Sequence, residues 1–485
     1  MSIMKTIGLA IFSGTLLFSA VVIWPLNTEG AVPLSTGTLV CLDCHRQPNV
    51  DTNEGVAAAN TYCYRCHGPN VEAGMKAENK KPLHIQSTDF SGHPHQFVAC
   101  IQCHLDVARS PHVTESGAAC LGCHSVHGEG DAHAPHLRVD CQACHFEIDK
   151  FRLEKTTFRV KPAEVNDQQQ PVNWINHKLT GAASEKNCIK CHKPGNAIGA
   201  PARVLPAKGA LCVMCHPSAL TLSHPIYWIA SLLFVSGLFF MVRFWFIGSV
   251  SGESASLHRK VSLSAEGVWQ AIFSHQFFTL LKILIVDIFL GRRILKENVG
   301  RWSMHSFIFM AMILRLLLSL FTGVVYAISP NSGISLILID KNHPFTALTY
   351  DLLGLFILVG VVWAVCIRYV VKPVHVTSEF EDNITLGIVG LLTLCGFLAE
   401  AVRMVMTGVP PQLGGYAIVG YPMSRLISGI PMDWSRVYPV LWYIHAVLGA
   451  CFIAYLPFGK LKHVFNVPLT YFIESVAGIK RDKRL

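Results

Sequence analysis

The chain repeats one short motif, Cys-x-x-Cys-His, seven times between residues 41 and 216. Two thiols at this spacing can form thioethers with both vinyl groups of one haem, and the next imidazole can ligate the iron. One copy would also fit a zinc or redox site, but seven copies that all end in His predict seven covalent haem c groups. The motif residues are Cys41, Cys44 and His45; Cys63, Cys66 and His67; Cys100, Cys103 and His104; Cys120, Cys123 and His124; Cys141, Cys144 and His145; Cys188, Cys191 and His192; and Cys212, Cys215 and His216.

Histidines outside the motifs are numerous enough to complete the coordination of these irons. Seven haems with two histidine ligands each need seven further imidazoles, and nine are present before residue 225. A haem iron with both axial positions filled favours electron transfer over binding of substrate. The sequence does not pair each distal histidine with its haem, but it favours His224 for a haem at the membrane surface. The candidate distal ligands are His84, His93, His95, His112, His127, His133, His136, His177 and His224.

Long apolar segments begin at residue 226, and each is near or above the roughly 20 residues that span a bilayer. They lie at 226–247, 303–328, 345–371, 384–407 and 437–458. A further apolar run, Ile7 to Trp24, predicts a signal anchor or a signal helix. The predicted protein is therefore mainly α-helical. Its expected parts are the anchor (1–25), a heptahaem c domain with little regular structure (26–223), a five-span membrane domain (224–475) and a basic cytoplasmic tail (476–485).

Two segments do not fit these simple classes. The stretch 262–290 is apolar but interrupted by charged residues, and we expect an amphipathic helix on the inner face rather than a sixth span. The charged insert from Phe146 to Gln170, between the fifth and sixth motifs, predicts a solvated surface hairpin.

The distribution of charge predicts the orientation. The formal net charge of +9 could suggest nucleic-acid binding. However, acidic and basic residues balance in 25–223, and the excess lies at the ends of apolar segments. Because Lys and Arg concentrate on the cytoplasmic side of membrane proteins, we expect a multi-pass inner-membrane protein. Its haem c domain would face the periplasm or cell exterior, and no nucleic-acid partner is expected.

Three histidines in or beside the long apolar segments are candidate ligands: His305, His445 and His463. Ionisable residues at such positions are functional candidates. His445 and His463 are 18 residues apart, which is five turns and about 27 Å along a continuous helix. On one helix, both imidazoles would point the same way near opposite faces of the membrane, as two stacked haems b require.

The stretch from Trp442 to His463, WYIHAVLGACFIAYLPFGKLKH, resembles the last helix of the nitrate reductase gamma subunit and of the membrane subunits of heterodisulfide reductase and the Dsr complex. The resemblance covers about residues 226–475 and implies a five-span cytochrome b that exchanges electrons with a quinone. It implies that His305 and His463 ligate an inner-face haem b and that His445 ligates an outer one. The second ligand expected for the outer haem is replaced by Arg315. One or two haems b are therefore expected. The outer haem b could be absent, could take another ligand such as His343 or His224, or could be replaced by the last haem c.

Four charged residues within the spans form a candidate quinone and proton site: Arg315, Asp351, Glu400 and Arg403. An Arg could pair with a haem propionate, and a buried carboxylate could accept a proton from quinol. Mutual salt bridges within the bundle are an equally good explanation of the same residues.

Together these features predict a respiratory quinol:cytochrome c-type oxidoreductase, or an electron-transfer subunit of one. Electrons would pass from quinol through haem b to the haems c, and then to a periplasmic or extracellular acceptor or cytochrome. A cytoplasmic iron–sulfur subunit as the partner, and a terminal multihaem reductase with a membrane anchor, are the alternatives.

Overall fold

The structure, a computed structural model, describes residues 50–68, 85, 94–105, 120–124, 136–155, 157–165, 171–172, 185–206, 208–217, 224–248, 254, 256–274, 276–372 and 379–476. The predicted N-terminal helix and nearly all of the predicted basic tail lie outside these residues. So does the first motif, Cys41, Cys44 and His45. The described part is mainly α-helical, as the sequence predicts.

Short helices carry the described Cys-x-x-Cys-His motifs, in the part of the chain for which the sequence predicts an exported haem c domain. Motif cysteines and histidines lie within or directly after these helices, because the motif's spacing suits a single helical turn. The helices are α1 (Asn53–His67), α2 (Cys100–Cys103), α3 (Cys141–His145) and α4 (Glu185–Cys191), with 3₁₀ turns at Pro94–Phe97, Cys120–Gly122 and Ala210–Met214. The strands are β1 (Phe151–Glu154), β2 (Arg159–Pro162), β3 (Glu164–Val165) and β4 (Pro171–Val172), which pair antiparallel as β1–β2 and β3–β4.

Five helices in the described residues are long and apolar enough to cross a membrane, at Pro225–Trp245, Val299–Ile328, Gly333–Val371, Phe380–Thr407 and Trp434–Tyr455. The remaining helices in chain order are α5 (Pro225–Trp245), α6 (Leu257–Ile272), α7 (Gln276–Lys282), α8 (Arg292–Glu297), α9 (Val299–Ile328), α10 (Gly333–Ile339), α11 (Pro344–Cys366), α12 (Phe380–Thr407), α13 (Pro411–Gly414), α14 (Gly420–Ile427), α15 (Trp434–Tyr455) and α16 (His463–Val476). Two π-helical turns, Ile283–Phe289 and Ile367–Val371, follow α7 and α11.

The spanning helices pack in the order α9, α11, α12, α15 and α5. Gly360 of α11 allows a close approach to α9, because a Cβ there would lie 2.6 Å from the side chain of Ile308. The shared core contains Ile357, Phe452 and Ile453. Large apolar side chains remain exposed on the outside of the bundle, as expected where lipid takes the place of water.

The sequence predicts one helix that contains both His445 and His463. The last spanning helix ends before it reaches His463. Helix α15 stops at Tyr455, a 3₁₀ turn occupies Gly459–Lys462, and His463 begins α16. Gly459 adopts a left-handed φ of 55°, which ends a right-handed helix. The prediction of a continuous helix is therefore wrong, and the five-turn argument does not determine where His463 lies.

The segment 262–290 is also not a single helix. It divides into the end of α6, then α7 and a π-helical turn, and the two halves are bent by 89°. Buried Asp287 pairs with Arg292 at 2.7 Å, and Trp269 and Phe273 remain exposed. These two halves would form a sixth span only if they crossed the membrane as one bent helix. The location of this segment on the inner face remains a prediction.

The insert after the fifth motif is a hairpin, as predicted, but it is not merely solvated. Phe158, at the start of the returning strand, is 6% exposed and packs with Ala347 and Met404 of the membrane bundle. Beside it, Arg138 pairs with Asp340 at 2.6 Å. The hairpin is therefore an attachment point of the predicted haem domain to the ends of the spanning helices.

The loop after the sixth motif makes a second attachment through backbone contacts. The Ala202 amide donates to the carbonyl of Ser435 at 2.8 Å, at the start of α15. Gly199 lies against the end of α12, so that a Cβ on it would be 2.2 Å from the carbonyl oxygen of Met406. Gly199 also has a φ of 72°, which favours glycine for a second reason.

Substitution of Gly199 by Ala should weaken this attachment. Gly195, in the same loop, has a φ of 71° but no heavy atom within 4 Å of the position that a Cβ would take, so Gly195→Ala is a matched control. Both changes cost about 1–2 kcal/mol of left-handed strain, and Gly199→Ala should cost about 1–3 kcal/mol more through overpacking. Thermal unfolding in detergent measures the difference, and equal destabilisation by the two variants would contradict the contact.

Candidate haem and electron-transfer site

Two histidines from distant parts of the bundle meet near the face that carries the basic residues. The ring centres of His305, on α9, and His463, at the start of α16, are 6.3 Å apart. Because histidine nitrogen–metal bonds are about 2 Å long, imidazoles on opposite sides of one iron have centres about 6 Å apart. The pair therefore fits the two axial positions of a haem, as the resemblance implied.

A hydrogen bond orients the second member of this pair. The Nδ1 of His463 lies 2.6 Å from the carbonyl oxygen of Lys460, to which it can donate. A histidine that donates through Nδ1 keeps Nε2 unprotonated and available to a metal, and such a partner also holds the ring in position. The turn at Gly459–Lys462, which breaks the predicted helix, supplies this carbonyl.

A second pair joins the seventh motif to the membrane bundle. The ring centres of His216 and His445 are 6.4 Å apart and their planes differ by 22°. His445 lies on α15, next to Gly396 of α12, where a Cβ would be 3.2 Å from the ring. This spacing also fits two axial ligands of one haem, but here one of them belongs to a Cys-x-x-Cys-His motif.

The seventh motif reaches His445 because its 3₁₀ turn is inserted into the bundle. Leu211 and Met214 pack against the buried core of the spanning helices. Gly209 lies against the ring of Tyr227, where a Cβ would be 2.3 Å from the ring. Tyr227 is 1% exposed, so the turn is held at the outer end of α5.

Both histidines of this pair have a buried Nδ1 without a hydrogen-bond partner in the described part of the chain. Burial is the main cause that holds the pKa of His216 well below its usual range, and the cations Lys208 and Lys341 add to the effect. The neutral imidazole is the form that binds a metal. His216 is therefore kept in the protonation state that ligation requires.

The two pairs lie at different depths of the bundle. Arg315 is ten residues after His305 on α9, a rise of about 15 Å, and it is an electrostatic neighbour of His216. Its guanidinium donates to the Tyr350 carbonyl at 3.1 Å and contacts the Tyr350 ring. Arg315 thus lies beside the second histidine pair.

Two further histidine pairs occur within the exported domain. The Nε2 atoms of His95 and the motif residue His124 are 3.3 Å apart. The rings of His136 and the motif residue His192 have centres 6.0 Å apart. The Nδ1 of His192 lies 3.0 Å from the Pro201 carbonyl, which leaves its Nε2 for other contacts.

Consecutive motifs are neighbours in space. The thiols of Cys63 and Cys100 are within hydrogen-bonding reach, as are those of Cys120 and Cys141. Electrostatic contacts connect the third motif to the fourth and the fifth to the sixth, through the pairs Cys103–Cys123 and Cys144–Cys188. The second to sixth motifs therefore follow one another as a row.

The predicted quinone and proton residues occupy two places. Asp351, 1% exposed, accepts hydrogen bonds from the amides of Val419 and Gly420 at 2.8 and 3.0 Å, at the start of α14. Its carboxylate thus has a structural partner. Glu400 contacts Asp351 and lies 3.8 Å from Arg403, so these three residues form one cluster.

Two histidines that could have completed the outer site act as helix caps. His224 accepts from the Ile226 amide at 3.3 Å, and His343 accepts from the Phe345 amide at 3.3 Å. In the described residues, the ring neighbours of His224 are Tyr227 and Tyr443. Of the other predicted ligands, His84, His93, His112, His127, His133, His177 and the Cys66 side chain lie outside the described residues.

Sequence reasoning missed two lysines beside the second pair. Lys208 donates to the carbonyl of Pro217, directly after His216, at 3.2 Å. Its side chain is also within hydrogen-bonding reach of Lys341. Burial lowers the pKa of the Lys208 ammonium more than any neighbouring charge does. The scarcity of Lys and Arg in the outer loops was the one sequence signal that could have drawn attention to them.

No cluster of three or more His, Cys, Asp or Glu suited to a metal ion occurs among the residues that the structure describes. A haem iron needs only two protein ligands, because the porphyrin supplies the other four. Pairs of imidazoles at the spacing described above, rather than clusters, are therefore the expected signature.

The sequence profile described as "Nitrate reductase gamma subunit" matches residues 316–481. In Methanosarcina mazei, the E subunit of the dihydromethanophenazine:CoB–CoM heterodisulfide reductase is 32% identical over 204 residues, which are 40% of this chain and 68% of the relative. Its counterpart in Methanosarcina barkeri is 29% identical over 199 residues, 40% of this chain and 66% of the relative. The chain belongs to the family of the heterodisulfide reductase E subunits.

The residues that the profile matches lie among the membrane helices. The chain spans about two thirds of the length of these curated relatives. A more distant relative, the EtfAB:quinone oxidoreductase of Syntrophomonas wolfei, is 25% identical over 196 residues, 38% of this chain and 26% of the relative. No solved structure matches the chain significantly. The chain is thus a multi-pass membrane protein from a family of redox-complex subunits.

We predict one non-covalent haem for seven covalent haems in the purified protein, because His445 faces a motif histidine rather than a second free histidine. Substitution of His305 or His463 by Ala should remove the extractable haem, whereas His258→Ala, at an exposed position of α6, should not. Pyridine haemochrome spectra before and after extraction measure both quantities. Two extractable haems, or none, would contradict the assignment.

Proposed function

We propose that the protein oxidises a membrane quinol or a related dihydro-carrier and passes the electrons to a row of seven haems c on the outer face. His305 and His463 would ligate a haem b. His216 and His445 would ligate the seventh haem c, which takes the place of an outer haem b. The observation that carries the proposal is the 6.4 Å spacing of His216 and His445.

This pairing supports a direct connection between the membrane and the exported haems. A haem held by Cys212, Cys215 and His216 would be covalently part of the exported domain, yet its second ligand would come from spanning helix α15. Haem groups supply one-electron reduction and oxidation at iron when bound. Cys212, Cys215, His216 and His445 would fix the position of the haem. The packing of Leu211 and Met214 on the bundle core would keep this haem away from water.

The names of the relatives support the choice of donor. The Methanosarcina proteins belong to an enzyme named for dihydromethanophenazine, and the Syntrophomonas relative is named a quinone oxidoreductase. Both names include an organic carrier that exchanges two electrons. The same class of donor fits this chain, although the haem motifs lie outside residues 316–481, which the nitrate reductase gamma profile matches.

Glu400 is the residue that we propose for proton transfer. Oxidation of one quinol to quinone releases two electrons and two protons, so a base must be present where the hydroxyl groups are oxidised. Glu400 lies towards the haem-domain end of α12, and its neighbour Asp351 is already engaged by two amides. Arg403, held at 2.8 Å by Asn342, could orient Glu400 and stabilise its ionised form.

The row of consecutive motifs supports outward transfer of the electrons. One histidine pair among the described motifs, His136–His192, has ring centres 6.0 Å apart, which suits two-histidine coordination. Such coordination leaves no position for a substrate at iron. The arrangement therefore favours a conduit that ends at a periplasmic or extracellular acceptor over a terminal reductase.

The orientation belongs to the same proposal. Attachments through Phe158, Ala202 and Arg138 involve one set of helix ends, whereas the basic residues of 292–301 and 460–462 occupy the other. By the positive-inside tendency, the haem domain would face the periplasm of an inner membrane.

One alternative donor is a cytoplasmic iron–sulfur subunit, since the relatives are subunits of larger redox complexes. Electrons would then enter through the haem held by His305 and His463. In that case His463→Ala would block reduction of the haems c by the partner, while quinol would be a poor donor to the unmodified protein.

Substitution of His445 by Ala tests the pairing. The seventh haem c should remain covalently attached but lose one axial ligand, so one haem in the protein should become high-spin in the ferric state. Electron paramagnetic resonance measures this change, and quinol-driven reduction of the haems c should be lost. His224→Ser, which retains a helix-capping side chain, should leave both unchanged. A His445→Ala protein whose haems all stay low-spin would refute the pairing.

Substitution of Glu400 by Gln tests the proton-transfer role. Quinol-driven reduction should slow by about 100-fold, the lower range for loss of a general base, while chemical reduction by dithionite stays unchanged. Glu379→Gln, just before the opposite end of the same helix, is the matched control. Stopped-flow absorbance in reconstituted vesicles measures the rates, and an unaltered quinol rate in Glu400→Gln would exclude this role.

A further inference from the structure

The second histidine pair is surrounded by more positive charge than the nearby carboxylates balance. Lys208, Lys341 and Arg315 all act electrostatically on His216. Arg403 completes the set, because it is an electrostatic neighbour of both lysines. In an enclosed site, like charges this close are unfavourable unless anions compensate them.

Few carboxylates in the described part of the chain are available to these cations. Glu400 is a neighbour of Lys341, and Asp351 is a neighbour of Glu400. Asp340, next to Lys341 in the chain, is bound by Arg138 at 2.6 Å. Among the described residues, the four cations therefore face at most two carboxylates, and one of these, Asp351, already accepts two backbone hydrogen bonds.

Hydrogen-bonding capacity is left over on the same side. The buried Nε of Arg315 and Nη2 of Arg403 have no hydrogen-bond partner within the segments that the structure describes. Lys208 has the Pro217 carbonyl at 3.2 Å, and an ammonium has three donors. An anion that accepts several hydrogen bonds would satisfy both the charge and the donors.

The position of the lysines indicates which anion. Lys208 is an electrostatic neighbour of Cys212, a thioether residue of the seventh motif, and it contacts the residue after His216. Lys341 joins Lys208 from the membrane domain, between α10 and α11. The two side chains thus meet from separate parts of the chain, and both act electrostatically on His216 and on His445. A haem between these histidines carries two propionate carboxylates.

We propose that Lys208 and Lys341 bind the propionates of the haem held by His216 and His445, and so act as positioning residues that raise its reduction potential. The inference rests on the proposed function, because it requires that haem. Two carboxylates would balance the excess of two positive charges. Since reduction adds one negative charge, nearby ammonium groups stabilise the reduced haem, and the haem becomes a better acceptor for electrons from the membrane.

Redox potentiometry of the purified protein tests this role. The double variant Lys208→Met/Lys341→Met should lower the equilibrium constant for reduction of one haem c about tenfold, which is about 59 mV for one electron. Lys208→Arg/Lys341→Arg, which keeps both charges, should not. Lys155→Met, at an exposed position of the hairpin, removes a lysine charge far from the pair and is the control. If the double variant does not assemble, Lys341→Gln alone should produce a smaller shift in the same direction.

A Cys212→Ala/Cys215→Ala protein, which lacks the seventh haem c, identifies the haem concerned. The lysine substitutions should shift no potential in that background. An unchanged titration of the double variant, or a shift that persists without Cys212 and Cys215, would overturn the proposal. The His445→Ala spectrum shows which of the two proposals fails. If His445→Ala gives a high-spin signal but the lysine variants shift no potential, the propionate contact alone is refuted. If all haems of His445→Ala stay low-spin, the pairing of His216 with His445 is itself refuted.

Discussion

The approach of His216 to His445 is the contact on which the relation between the two halves of the molecule depends. It brings the ring centre of a motif histidine to 6.4 Å from that of a histidine on a spanning helix. A polar turn would be costly to place among apolar helices, but Leu211 and Met214 give the turn an apolar face that packs on the bundle core. Apolar packing of Leu211 and Met214 thus positions His216 against His445. These two histidines form a site to which both domains contribute.

Further attachments make this arrangement rigid. Phe158 contributes apolar burial, and Arg138 contributes an ion pair. The backbone at Gly199 and Ala202 lies directly against the ends of α12 and α15. Burial of one Phe side chain is worth about 1.5–3 kcal/mol, more than an exposed ion pair provides. These contacts lie beside the fifth motif, in the insert and after the sixth motif, and together they position this part of the chain on the bundle more accurately than a flexible tether would. This matters because imidazole ligation tolerates little displacement.

Much of this organisation could be predicted from the sequence, and the failures have identifiable causes. Four of the five spans were predicted to within a few residues, because each apolar run is long and bounded by charged residues. The third span begins at Gly333, well before the predicted start at residue 345. The continuous helix through His445 and His463 was wrong because Pro457 and Gly459 outweigh the apolar pattern. The insert was correctly predicted as a hairpin, yet one buried aromatic residue, Phe158, docks it on the bundle. That contact depends on a surface that lies about 190 residues or more further along the chain.

The sequence by itself determined the features that are local. The spacing of two cysteines and a histidine predicts covalent haem attachment, and the length of an apolar run predicts a span, since both depend on neighbouring residues only. Which imidazole faces which was decided by the tertiary structure alone. His216 and His445 are 229 positions apart, and Lys208 and Lys341 converge from different domains. Such contacts follow from how two domains dock, and no short pattern in the chain records that docking.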